Sequence, residues 1–320
     1  MNIAFHSYGF SLRGCDIALF DYAYYNEELL GNKSIIIMDG NSVHKNENML
    51  TMFKNRFGKI YFYNDVEDID EIISQSKVEM FFLLKHGFND GILSQKAKNC
   101  VQAVFRTLEE HGDVYAVNSE WLSRGYSKGK FDYVPRIINL PEVNLHFRDH
   151  LNIPEEAIVF GRYGGFDTFD IDFVHETVIE IAEERDDIYF LFMNTDDSFL
   201  KGKKYDNIKF FAGTADLKIK TAFIQTCDAM LHARNRGETF GVAIGEFSSK
   251  NKPVITFARS PEQAHYWHLK HKGIYYFSKE QLYDILTTLR KNPGYNYDVF
   301  SEKFSPERVM QRFKKVFIDD

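Results

Sequence analysis

The sequence predicts an α/β chain of two Rossmann-like domains, each a parallel sheet covered by helices. Three observations carry this reading. Short apolar runs alternate with helix-like segments from residue 2 to residue 119, the pattern of parallel strands buried on both faces. A proline-bearing stretch, "FDYVPRIINLPEVNLHFRDHLNIPEEA" (131–157), then breaks the rhythm, with Pro135 and Pro141 bracketing an apolar piece. From 157 the same rhythm restarts and runs to 292. With 320 residues there is chain enough for two domains, expected at 1–143 and 144–300.

The elements follow in order. "NIAFHSY" (2–8) reads as a buried strand, and "GCDIALFDYAYYNEELLG" (14–31) as a helix ending on glycine. "KSIIIMD" (33–39) and "KIYFYN" (59–64) are strands. "VEDIDEIISQS" (66–76) is a helix whose acidic front suits the positive end of its dipole. "VEMFFLL" (78–84), "CVQAVF" (100–105) and "VYAVNS" (114–119) complete the first set of strands. In the second half "AIVFGRYG" (157–164) runs into a Gly-rich turn. "FDIDFVHETVIEIAEER" (169–185) is a helix with Asp170 or Asp172 near its start. Further strands are "IYFLFMN" (188–194), "IKFFAG" (208–213), "AMLHA" (229–233), "PVITFA" (253–258) and "GIYYF" (273–277). Helices fall between them, including "ADLKIKTAFIQTC", and "KEQLYDILTTLRKN" (279–292) closes the set. "SPERVMQRFKKVF" (305–317) opens on a Ser-Pro-Glu helix start.

Composition narrows the function. A net charge of -7 opposes a general nucleic-acid binder. "KGKKYDNIK" and "HLKHKG" read as solvated loops and leave room for anion or peripheral membrane contact. Three cysteines far apart, with no Cys-x-x-Cys, suit a reducing compartment and give no disulfide or metal framework. The first residues lack a signal-peptide pattern, and no apolar run approaches the roughly 18 residues of a membrane span, so a cytoplasmic protein is expected, in a host's cytoplasm if the source is viral.

Ligands of such sheets bind at the carboxyl ends of strands, where loops lead into helix N-termini. In "LHARNRGETFGVAIGEFSSKNKPVITF", Arg234 to Gly237 form the exit loop of a strand, and a helix is expected to begin near Glu238 or Thr239. Free amides around Phe240, Gly241 and Val242 would favour an anion. Eight helical residues rise about 12 Å, so Glu238 at the mouth and Glu246 on the body lie near one face. Glutamates are common in helices, and spacing alone assigns them no role.

Their surroundings are more specific. "GETFGVAIGEFSSKNKPVITF" resembles the Glu-x7-Glu signature of retaining GT-B glycosyltransferases, the family 4-like group, down to the following Pro253-Val254 strand. "VFGRYGG" (159–165) looks like that family's Gly-Arg turn, and "VNSEWLSRG" (117–125) like its late first-domain strand and helix. The resemblance implies an acceptor-binding first domain, a second domain for a nucleotide-diphosphate sugar, and a last helix, 301–320, returning to the first domain. It implies that Glu238 contacts donor-sugar hydroxyls and that the amides of Thr239, Phe240, Gly241 and Val242 hold the diphosphate. Glu246 would bind the ribose, and Arg162 would stabilise charge on the leaving diphosphate. A fixed guanidinium there would lower the barrier.

One departure stands out. Where the family has a phosphate-binding lysine about five residues after this arginine, the chain has Asp167, and no lysine occurs between Arg162 and Lys201. Either Arg234 or Arg236 compensates, or phosphate binding is weaker. In the first domain "SYGFSLRGCD" (7–16) resembles the family's Gly-rich first loop and is neither a P-loop nor Gly-x-Gly-x-x-Gly. Gly14 and Arg13 are candidates there, as is Asp16, which reads equally as a helix cap. His86 follows the fourth strand and is assigned to the donor sugar by the resemblance; a structural histidine is the alternative, and Lys85 is a lesser candidate. His265, His268 and His271 are spaced by three, poor for three-point coordination. The resemblance requires no metal and no cofactor beyond the donor. It implies transfer of a sugar, with retention, to a glycan, lipid-linked or small hydroxyl acceptor. A sugar-nucleotide epimerase and a non-catalytic nucleotide-sugar-binding protein are the alternatives.

Overall fold

The computed structural model of the chain describes residues 1–11, 14–43, 46–292 and 294–319. Arg13, a sequence candidate, lies outside them. The chain divides into two units, residues 1–137 with 304–320, and residues 138–303.

Unit 1 begins with β1 (Asn2–Ser7), α1 (Gly14–Glu28), β2 (Lys33–Asp39), α2 (Glu47–Phe57), β3 (Ile60–Tyr63), α3 (Val66–Gln75), β4 (Met80–Lys85), β5 (Lys98–Ala103) and β6 (Val114–Val117). The strands pair in parallel in the order β3-β2-β1-β4-β5-β6. All six residues of β4 are buried, as expected of a central strand. Nothing in the sequence pattern marks α2, because only Met49 and Phe53 of it are buried. Its ends are set locally. Asn46 accepts a hydrogen bond from the Met49 amide, and Gly58 closes the helix at φ 73°. Residues 121–126 form one turn of π-helix, where the sequence predicts an ordinary helix.

Unit 2 contains β7 (Ile158–Tyr163), α4 (Asp172–Glu184), β8 (Ile188–Met193), β9 (Ile208–Phe211), α5 (Leu217–Thr226), β10 (Ala229–His232), β11 (Gly237–Glu238), α6 (Val242–Ser249), β12 (Val254–Phe257), β13 (Glu262–Gln263), α7 (Ala264–Leu269), β14 (Ile274–Tyr276) and α8 (Lys279–Thr288). Its large sheet is parallel in the order β14-β12-β10-β7-β8-β9, and β11 with β13 forms a two-stranded parallel patch. Phe160, Phe190, Phe192, Val178, Ile181 and Leu231 fill the core between this sheet and its helices. The last helix, α9 (Pro306–Phe313), is capped by Ser305 with proline in its first turn, and Phe313 packs on Phe5 and Phe82 of unit 1. In each large sheet the strand order reverses once, between β1 and β4 and between β7 and β10, the place where such sheets hold ligands.

Candidate active site

In unit 2 the reversal brings the ends of β7 and β10 together, carrying Arg162 and His232. β12 lies on the far side of β10, and register pairs His232 with Thr256. His232 Nδ1 meets Thr256 Oγ1 at 2.8 Å, and Nε2 meets Glu238 Oε1 at 3.3 Å. A carboxylate only accepts, so Nε2 donates to Glu238. Arg234 Nη1 donates to Glu238 Oε2 at 3.0 Å. Burial works to raise the Glu238 pKa, but the His232 hydrogen bond and the Arg234 charge outweigh it and hold it at about 2. The carboxylate is therefore ionised and fixed at both oxygens.

The structure corrects the expected start of the helix. Helix α6 begins at Val242, with Gly241 as its N-cap at φ 92° in the left-handed region. Glu238 sits on β11, paired by Gly237↔Glu262 and Glu238↔Gln263. Thr239 and Phe240 are thus loop residues and are buried. Only Gly241 and Val242 of the expected amide set belong to the helix end, and the first helical bond runs from the Gly245 amide to the Gly241 carbonyl at 3.0 Å. Glu238 and Glu246 are consequently not on one helix.

Glu246 lies inside α6, buried against the equally buried Lys220 of α5, with Nζ and Oε1 3.1 Å apart. Lys220 also stands over the Tyr163 ring at 5.3 Å. Arg162 is 3 % exposed. Its Nη1 donates to the Asn194 carbonyl at 3.1 Å and to Thr195 Oγ1. Its Nη2 donates to the Gly165 carbonyl at 2.8 Å and to Thr168 Oγ1 at 2.7 Å. These four acceptors are neutral, so the guanidinium staples the loop after β7 to the loop after β8 while keeping its charge. Burial lowers its pKa only to about 10.

Neither arginine offered as a substitute for the missing lysine stands apart from a carboxylate. Arg234 holds Glu238, and Arg236 Nε donates to the fully buried Glu262 at 2.8 Å. Asp167 is exposed on the loop that Arg162 tethers. Asp170 does not cap α4; its Oδ1 accepts the Asn235 amide at 2.7 Å and ties that loop to the β10 exit. His265, on α7, packs 5.5 Å from the His232 ring, and His268 packs on Phe240 and Phe300. Burial pushes both imidazoles down to about 3, so they are neutral.

In unit 1, Gly14 is the first residue of α1. Asp16 is in its first turn but accepts from the Ser11 amide at 3.0 Å and Ser11 Oγ at 2.6 Å, pinning the loop from β1 rather than capping the helix. His86 is exposed just after β4, its ring 4.5 Å from Phe105 and 5.4 Å from Phe88. Lys85 is buried beside Asp90, which also accepts from Tyr8, and its Nζ donates to the Ile92 carbonyl at 2.9 Å. Sequence reasoning passed over His232, Thr256 and Lys220, and it weighed His265 only as a metal ligand. The strand-end rule that singles out His86 applies equally to His232, whereas Thr256 becomes visible only through strand order.

The class these features define is the GT-B fold: two units, each built on a six-stranded parallel sheet, as in two-domain GT-B glycosyltransferases. No family model matches the sequence, and no curated protein matches it. Among solved structures the chain is similar to a glycosyltransferase from Rickettsia africae ESF-5, with a TM-score of 0.73 at 14% identity, covering 100% of this chain and 99% of that one. It is similar to Anabaena HepE in complex with UDP and glucose, with a TM-score of 0.70 at 11% identity and 98% coverage of each chain. It is also similar to a putative UDP-N-acetylglucosamine 2-epimerase from Listeria monocytogenes, with a TM-score of 0.61 at 12% identity, covering 100% of this chain and 97% of that one. Identities this low establish the fold alone.

Proposed function

We propose that the chain is a cytoplasmic, metal-independent glycosyltransferase. It would move a sugar, with retention, from a nucleotide-diphosphate sugar to a hydroxyl acceptor. The observation that carries the reading is Glu238. An ionised carboxylate is held at both oxygens by Arg234 and the Thr256–His232 pair, beside the switch point of the unit 2 sheet. A fixed carboxylate of this kind accepts hydrogen bonds from sugar hydroxyls without reorganising. The diphosphate sits at the amides of Gly241, Val242 and their neighbours, and Glu246 takes the ribose once it shares its charge with Lys220. Arg162 acts by its buried charge and by holding the loop after β7, because its terminal N–H groups are already engaged. The leaving diphosphate takes the acceptor proton as the acceptor attacks from the same face. The complexes of HepE with UDP and glucose support a uridine donor.

The test is a thermal-shift screen of UDP-, GDP-, ADP- and dTDP-sugars, followed by free-nucleotide release with an acceptor panel. A saturating donor at 100 times its Kd should stabilise the chain by about 2.7 kcal/mol. Product anomers read by NMR check retention, and an EDTA arm checks metal independence. The similarity to the Listeria protein gives the second reading. Isomerisation of the donor without acceptor would establish an epimerase, and donor binding with neither release nor isomerisation would sink both.

A further inference from the structure

The site at the switch point of unit 2 is short of positive charge for the ligand proposed for it. A nucleotide-bound diphosphate carries more than one negative charge and gains more as it leaves. Arg234 is held by Glu238, and Arg236 by Glu262. Arg162 commits its terminal N–H groups to neutral oxygens. The loop after β7 adds Asp167 and no lysine.

A further cation lies at the same strand end, on the other face. Successive residues of a strand point to opposite faces. Arg162 stands over the Phe169 ring at 5.7 Å, whereas Tyr163 packs on Phe247 of α6 at 5.8 Å and on Phe223 of α5 at 6.5 Å. The ammonium of Lys220 sits over the Tyr163 ring at 5.3 Å. It donates to Glu246 Oε1 at 3.1 Å, and both side chains are buried. Glu246 is one turn, about 6 Å, into α6 from Val242, so its partner ammonium stands beside the first turns of that helix. The Tyr163 hydroxyl is buried on this face with no hydrogen-bond partner among the described residues, a second polar group there that a ligand oxygen would satisfy. A buried Lys–Glu pair stabilises a fold little more than an apolar pair of the same volume, so this pair asks for a use beyond stability.

We propose that Lys220 is the cation that neutralises the diphosphate of the donor. When Glu246 takes the ribose hydroxyls, the ammonium keeps one hydrogen bond to it and donates another to the phosphate next to the ribose. An ammonium carries three donors, so it serves both at once. With Arg162 on one face of β7 and Lys220 on the other, the charge that grows on the leaving group meets a cation from each side. The proposal rests on the glycosyltransferase reading only for the ligand being a nucleotide diphosphate.

The test compares each nucleoside diphosphate with its nucleoside: UDP with uridine, GDP with guanosine, ADP with adenosine and dTDP with thymidine. Ligand-observed NMR titration at one ionic strength reads the weak nucleosides as well. For the pair that binds the wild type, Lys220→Met should weaken the diphosphate about 30-fold and leave the nucleoside little changed. Lys220→Arg should recover part of the loss. Because Lys220→Met strands the buried Glu246 charge, the comparison is repeated between Glu246→Gln and Lys220→Met/Glu246→Gln, which differ only in the ammonium. Equal losses for diphosphate and nucleoside make Lys220 a holder of Glu246 and overturn the proposal, as does no loss for either; the glycosyltransferase reading survives both results. A wild type that binds no nucleoside diphosphate overturns the proposal and that reading together. A loss confined to the diphosphate, in a chain that releases nucleotide from no donor, keeps the role of Lys220 while the glycosyltransferase reading fails.

Discussion

Replacing Glu238 by glutamine keeps its shape and removes its charge, so it measures how strongly the site holds an ionised carboxylate. The group is held at about 2 against an ordinary 4.5. A folded pKa below the unfolded one contributes stability above the unfolded value, lost as pH falls toward the folded value. At pH 7 the full difference of about 2.5 pH units corresponds to about 3.4 kcal/mol. At pH 3.5 the unfolded chain has largely taken up the proton while folded Glu238 is still ionised, and the contribution shrinks to about 2 kcal/mol. Urea unfolding of both proteins at the two pH values should therefore show a Glu238→Gln deficit about 1.4 kcal/mol larger at pH 7. Other titrating groups act alike on both proteins and cancel in the difference. Donor affinity should fall in parallel at pH 7. A deficit that does not change with pH would refute the claim that Arg234 and His232 hold an anion, and with it the basis for sugar recognition.

Arg162→Lys keeps a charge but loses the fork that staples the loops after β7 and β8; kcat should fall about tenfold with donor Kd little changed, and an unchanged kcat would remove Arg162 from the mechanism. His6, His265 and His268 are each lowered by burial to about 3 from an ordinary 6.5. Their contribution is complete above pH 6.5 and is lost as pH falls toward 3, so His268→Phe should flatten the stability profile by about 3 kcal/mol between pH 7 and 4; a parallel profile would refute the assignment. Gly237 stands at φ 77°, and a Cβ there would lie 2.1 Å from the Glu262 carbonyl oxygen. Gly237→Ala should cost about 2 kcal/mol or more in urea unfolding and weaken donor binding by displacing Glu238, whereas wild-type stability would show that β11 does not need the close approach to β13.

Much of the fold is legible in the chain because its signals are local. "KSIIIMD" reads as a strand from Lys33 to Asp39, with the bounds observed, since a parallel strand buried on both faces is a continuous apolar run between polar ends. Helix α2 is not legible, because its two buried residues leave no stripe. The site is less legible than the fold. The glutamates are conspicuous in sequence, yet the expected helix start, near Glu238 or Thr239, lies before the observed one at Val242. Gly241 in the left-handed region begins α6 only there, and the Gly237↔Glu262 pairing joins positions 25 residues apart.

By itself, then, the amino-acid sequence determined the α/β rhythm, the restart at β7 and the residue types gathered near Glu238. Tertiary structure alone decided that Glu238 leans on His232, His232 on Thr256, Glu246 on Lys220 and Arg162 on four neutral oxygens. The reason is physical. Burial periodicity belongs to one segment, whereas these partners come from different segments, and strand order and register set which of them meet.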